Sequence, residues 1–202
     1  CRSHALLMPR LYWSDYAPDV SELNKTYTRY LRNVLPRGDG YGPIKAINAF
    51  TTALAATCRG YFMARSPDDG SVLIFAATST KLYLLNNTTL AWADVSLGAG
   101  TYSTLDSDAN WSFAQFNNVV IASQRNAVMQ EYTIGSSSAF ANLAGSPPQA
   151  GWISVIGSFL VAGDILSEPL RIQWCDVNNI TNWSTGSADS QDVPDGGRIR
   201  AH

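Results

Sequence analysis

Only two histidines occur in the chain, His4 and His202, near its two ends. Ser-His-Asp and Cys-His chemistry need a histidine held against a nucleophile inside the fold, so neither is expected. Cysteine is as sparse. Cys1, Cys58 and Cys175 are far apart and odd in number, which gives no metal spacing and no disulfide framework. Cys58 and Cys175 stand in apolar, strand-like runs and read as buried thiols, which suits a reducing compartment. No apolar run approaches the roughly 18 residues of a membrane span. The stretch Cys1 to Met8 lacks the length and cleavage site of a secretory signal. Net charge is only −2, so the basic footprint of a free-standing nucleic-acid binder is missing. So are H-E-x-x-H, a GxGxxG at a strand–helix junction and a P-loop.

What is present favours strands. Tyr, Trp, Thr and Val are frequent, and Gly, Asn and Pro punctuate the chain at short intervals. There is enough apolar material for a core. Length fits one large domain or two small ones. Thr57–Arg65, Ser71–Thr78, Lys81–Leu85 and Leu90–Ser96 read as four strands joined by turns, the size of one antiparallel meander. A second unit runs through Trp111–Gln115, Val119–Ser123, Val128–Ile134 and Phe140–Leu143. A third runs through Gly151–Ile156, Phe159–Ala162 and Leu170–Cys175 to Trp183. Trp92, Phe140 and Trp183 then read as equivalent unit ends, roughly 48 and 43 residues apart, close to the ~40–50 of propeller blades.

Two stretches carry a resemblance. In Arg171–Arg200, a strand ends in Trp174, and Asn178-x-x-x-x-Trp183, Ala188-Asp189, Gln191-Asp192 and Pro194-Asp195-Gly196-Gly197-Arg198 follow. Earlier, Asn33-Val34-Leu35-Pro36 precedes Asp39-Gly40-Tyr41-Gly42-Pro43. In this order they look like proteins from the tails of short-tailed bacteriophages, in which a β-propeller-like domain builds part of the tail nozzle or hub below the portal. The resemblance implies an all-β fold: antiparallel meander blades of a partial β-propeller (residues 44–202) behind an N-terminal arm (residues 1–43). It implies a virion structural protein without catalysis, cofactor or metal, assembled in the bacterial cytoplasm. A ring of copies, six being the expected number, would contact portal or adaptor and tail fibre or spike proteins. Double-stranded DNA would pass without sequence-specific contacts. The interface candidates are Tyr12, Trp13, Arg32, Arg37 and Tyr41 in the arm, and Asn178, Asp195 and Arg198 in the last loop. Three blades are visible, and a closed propeller needs at least four. The expectation is that sequence continues past His202 or that a neighbour completes the fold, and Met8 reads as a natural start.

Other readings compete. Ser21–Leu35 fits a short helix or an extended arm, and Ala46–Leu54 a short helix or the lead-in to a strand. Ser66-x-Asp68-x-Gly70 is half of an Asp-box with Leu73 at the Trp position, and reads as a turn. Arg37-Gly38-Asp39 reads as turn chemistry. Asp68, Asp69, Asp106, Asp108, Asp176, Asp189, Asp192 and Asp195 cluster in turns; a glycosidase would need two of them facing each other. A sialidase-like hydrolase would need several inward-facing arginines, whereas most here lie in the arm and the last loop. Asp189, Asp192 and the Asp195-Gly196-Gly197 loop could hold calcium, though not with EF-hand spacing. The Asn-x-Ser/Thr sites, including Asn86, Asn110, Asn179 and Asn182, read as turn composition. Trp92, Trp111, Trp174 and Trp183 read as packing residues. The alternative is a carbohydrate-binding, receptor-recognising propeller, in which such rings would stand exposed in one groove.

Overall fold

The computed structural model describes residues 16–21, 23, 27, 30–37, 40–44, 48–194 and 196–199. The chain divides into two compact units, residues 1–49 and 50–202. The first holds a hairpin of β1 (Val34–Arg37) and β2 (Gly40–Pro43), with Val34 opposite Pro43. The Ile44 amide donates to the Asn33 carbonyl at 3.1 Å and closes its base. Both prolines fit, because a two-stranded ribbon has only edge strands. None of the described residues in Ser21–Leu35 or Asn48–Leu54 is helical.

The second unit contains three four-stranded sheets, each an antiparallel meander of consecutive strands. Sheet one is β3 (Gly60–Arg65), β4 (Val72–Ala77), β5 (Leu82–Leu85) and β6 (Trp92–Asp94). Sheet two is β7 (Ser112–Phe116), β8 (Val119–Gln124), β9 (Ala127–Thr133) and β10 (Ala141–Asn142). Sheet three is β11 (Ala150–Ile156), β12 (Phe159–Ile165), β13 (Arg171–Trp174) and β14 (Asp189–Asp192). The all-β expectation holds, and among the described residues no helix is long and apolar enough to cross a membrane.

Strand alternation gives each sheet two usable faces. Phe75, Ala77 and Leu82 of sheet one pack on Val120, Ala122 and Tyr132 of sheet two. Ile121 and Met129, on the opposite face of sheet two, pack on Ile153, Leu160 and Ala162 of sheet three. Phe75 meets Tyr132 and Phe140 edge to face, with centroids 5.2 and 5.6 Å apart. Such pairs add to area burial. Phe75→Leu is expected to lower stability by about 2 kcal/mol, read from the denaturant midpoint.

Two expectations need correcting. Trp183 does not end the third sheet. It is buried in the loop between β13 and β14, its indole N–H donating to the Ile180 carbonyl at 2.7 Å. The polar segment Asp189–Asp192 pairs with β13 instead, Arg171 opposite Asp192 and Trp174 opposite Asp189. Trp92 and Phe140 do mark comparable places: Trp92 lies opposite Leu85, and Phe140 immediately precedes Ala141, which lies opposite Glu131. Cys58 is the second correction. It is exposed, since β3 starts only at Gly60, and its thiol donates to the Gly60 carbonyl at 3.2 Å. Cys175 is buried as expected, with burial pushing its thiol pKa up.

Candidate functional site

The Asn-rich loop after β13 is a network of side-chain caps. Short polar side chains bond nearby backbone donors, which is why Asn and Asp accumulate in turns. Asp176 Oδ1 accepts the Val177 and Ser187 amides at 2.9 and 2.8 Å, and Asn182 donates to Oδ2 at 3.2 Å. These bonds, Ser187 first, hold the Asp176 carboxyl below its ordinary range. Asn179 accepts from the Thr181 amide and hydroxyl, and Asn182 from those of Thr185. The Trp174 indole reaches the Ser187 carbonyl at 3.0 Å. Asn178 has φ +54°, and its amide donates to Ser158 in the β11–β12 turn.

The β3–β4 turn works the same way around Asp69, a neighbour of the Asp68 that the half Asp-box singles out. Gly70 takes φ +71°, and Asp69 Oδ1 accepts the Ser71 amide at 3.0 Å. That bond, helped by the Ser66 and Ser71 hydroxyls, lowers the Asp69 pKa from 3.8 to about 2. A carboxyl lowered by folding adds stability that is complete above the unfolded value and is lost as pH falls through the folded one. Asp69→Asn is therefore expected to lower stability at neutral pH and to flatten the loss between pH 4 and pH 2, so that the variant and wild-type curves converge at the acid end, measured by thermal melting across that range.

A second assembly centres on Asp164 of β12. Its side chain is buried, and its φ of +56° is one that Asp tolerates better than most residues. Arg198 meets it fork to fork: Nε donates to Oδ1 at 2.5 Å and Nη2 to Oδ2 at 2.6 Å. Arg125 approaches Oδ1 at 3.7 Å and donates to the Leu166 carbonyl. The Asp164 pairing holds the Arg198 guanidinium above its ordinary range. Gly151 makes the room, because a Cβ there would come within 2.2 Å of Oδ2. The same contact draws residues 198–199 onto sheet three, where the Ile199 amide bonds the Pro169 carbonyl.

A cleft of about 390 Å³ opens beside this pair, lined by Asp108, Asn110, Ser112, Trp152, Asp164 and Arg198 among others. The Trp152 indole lies on Gly163; a Cβ there would fall 2.4 Å from the ring. Its buried Nε1 has no hydrogen-bond partner among the described residues. Arg59 ties the wall of the cleft to the start of sheet one. It donates to the Asp106 and Ser107 carbonyls at 3.0 Å each, to the Ala109 carbonyl, and to Asn110.

No protein-family model matches the chain, and no curated protein matches it. The geometry alone carries the site.

Of the expected interface residues, Asn178 and Arg198 lie in the second unit. Arg198 is committed to Asp164. Arg32 is exposed and Tyr41 half-buried in the first unit. Tyr12, Trp13, Asp195 and the Arg37 side chain lie outside the described residues. Trp111 and Trp183 are buried. Trp92 and Trp174 are half-buried with their indole N–H bonded. Among the described residues no group of three or more His, Cys, Asp or Glu is placed to hold a metal ion. Sequence reasoning missed Asp164, Arg59 and Trp152. The available signal for Asp164 was a charge inside the apolar run Phe159–Ile165, since a buried charge demands a partner.

Proposed function

We propose that this chain is a structural, non-catalytic part of the tail of a short-tailed bacteriophage. It forms, with further copies, a nozzle or hub ring below the portal that holds the genome and lets it leave. The sheets serve as consecutive propeller blades. The observation that carries the reading is that both resembling segments are elaborate folded surfaces. One is the hairpin Val34–Pro43; the other is the capped loop Asp176–Ser187 with its Asp164-anchored continuation at Arg198. Rigid blades with ordered loops suit subunit interfaces in a symmetric ring. Assembly in the bacterial cytoplasm, contacts with portal or adaptor and fibre or spike proteins, and non-specific passage of duplex DNA follow from it. The test is to mix the protein with portal and adaptor proteins and image the product. A ring below the portal supports the reading; a chain that never joins such particles overturns it.

One observation favours a second reading, a carbohydrate-binding tail protein. Trp152 lines a cleft among polar groups with its indole seated on Gly163. A retained signal on a glycan array that Trp152→Ala abolishes would promote it.

A further inference from the structure

The charged groups around the cleft beside Asp164 balance one another. Asp164 by its bonds, then Asp108 and Asp106 by their charge, hold the Arg198 guanidinium above its ordinary range. Arg125 stands 3.7 Å from Asp164 Oδ1. Arg59 donates to the Asp106, Ser107 and Ala109 carbonyls. Each of these guanidiniums is already engaged. An anionic ligand would therefore meet the Asp108 carboxylate at an exposed position and gain no new cation in return. A cationic one would have to compete with Arg198 for Asp164. The balance favours a ligand without charge.

The surface of the cleft says which kind. Asp108 and Asn110 are exposed polar groups on its lining. Asn110 accepts Arg59 Nε at Oδ1, 3.2 Å away, which leaves its Nδ2 donors for a ligand. Trp111 and Trp152 add indole surface to the same lining. Their surroundings are fixed. Ser112 Oγ accepts the Ile153 amide at 3.0 Å and donates to the Ile153 carbonyl at 3.4 Å, which ties β7 to β11. The Trp152 ring lies on Gly163, where a Cβ would fall 2.4 Å from it. An apolar ligand would leave the polar groups without partners. A sugar ring carries C–H faces for an indole and hydroxyls that both donate and accept. The volume, about 390 Å³, is at the low end of the ~300–1,000 Å³ of small-molecule sites, so a short glycan end fits better than a long chain.

We propose that this cleft binds the uncharged end of a glycan. Trp152 is the stacking wall, Asp108 and Asn110 bond the hydroxyls, and Gly163 is a positioning residue that seats the indole without touching the sugar. The inference rests on the carbohydrate reading of Trp152 and narrows it to neutral sugars; it asks nothing of the tail ring. Arg198 and Ile199 line the same cleft, so a bound sugar lies against the segment that the Asp164 pair and the Ile199–Pro169 bond hold on sheet three.

The test is a titration of the full chain, followed by tryptophan fluorescence and by amide exchange. The probes are glucose, galactose, mannose and N-acetylglucosamine as neutral sugars, with glucuronate, N-acetylneuraminate and glucosamine as charged ones. At least one neutral sugar should bind saturably and slow exchange of the Ile199 amide, and the charged sugars should bind more weakly. Trp152→Ala and Gly163→Ala should each weaken binding by about tenfold or more, while Trp152→Phe keeps most of it. Urea midpoints separate lost binding from lost folding, and if Gly163→Ala does not fold, the two Trp152 variants decide. Binding of charged sugars alone would overturn the neutral class and leave the carbohydrate reading standing. Binding of no sugar would overturn both. Neutral-sugar binding that survives Trp152→Ala would place the sugar elsewhere and overturn the proposal.

Discussion

Gly145→Ala is expected to cost on the order of 4 kcal/mol, while Gly135→Ala costs about 1 kcal/mol. The two glycines share a φ of +84°, so the left-handed penalty of an alanine is the same at both. Their surroundings differ. A Cβ at Gly135 meets nothing within 4 Å. At Gly145 it would lie 1.6 Å from the Thr181 carbonyl oxygen, a backbone atom that cannot rotate away. Gly145 follows β10, and its neighbour Leu143 is tied to Met129 by a backbone bond. Thr181 sits inside the capped loop, held through Asn179. Relief therefore requires moving either the link between sheets two and three or the loop that carries the buried Trp183. Urea unfolding of the two variants isolates the clash as their difference. Amide exchange should localise it to residues near Thr181. Equal losses for the two variants would show that the link and the loop do not press together as described.

The strands that carried apolar alternation were legible in the sequence, and those without it were not. Phe159–Ile165 buries Leu160 and Ala162 against sheet two, and Ala127–Thr133 buries Tyr132 on one face and Met129 on the other, so both were readable as strands. Asp189-Ser190-Gln191-Asp192 has no apolar residue at all. It is a strand because the free edge of β13 offers a backbone ladder, and because Arg171 pairs with Asp192 at 2.7 Å. Trp183 drew the boundary to itself because large aromatics usually end such units; here the ring fills the core while its backbone turns away. The Asn and Asp caps were legible as turn chemistry, but not which acceptor each would serve. The Asp164 junction was hidden for a different reason. Arg198 lies 34 residues from Asp164 in sequence, and only the fold of sheet three brings them together.

Asp164→Asn is expected to lose about 3 kcal/mol, because removing one partner of a buried ion pair leaves charge uncompensated. Asparagine keeps the side-chain size that Gly151 accommodates, and tolerates the φ of +56° nearly as well, so the substitution reports charge rather than shape. Two guanidiniums remain behind. Arg198 loses both of its short bonds, and Arg125, whose buried Nε has no hydrogen-bond partner among the described residues, loses its nearby counter-charge. Arg198→Gln should cost less, about 1 to 2 kcal/mol, because Arg198 is partly solvated while Asp164 keeps Arg125 beside it. In the double variant the losses should be less than additive, since contacting groups couple. The amide of Ile199, bonded to the Pro169 carbonyl, supplies an independent readout. Its exchange should accelerate in both single variants if the ion pair is what holds residues 198–199 on sheet three. An Asp164→Asn protein as stable as wild type, with Ile199 still protected, would mean that backbone bonding alone anchors this segment. The cleft would then owe its wall to the Arg59-held turn and the Trp152–Gly163 contact.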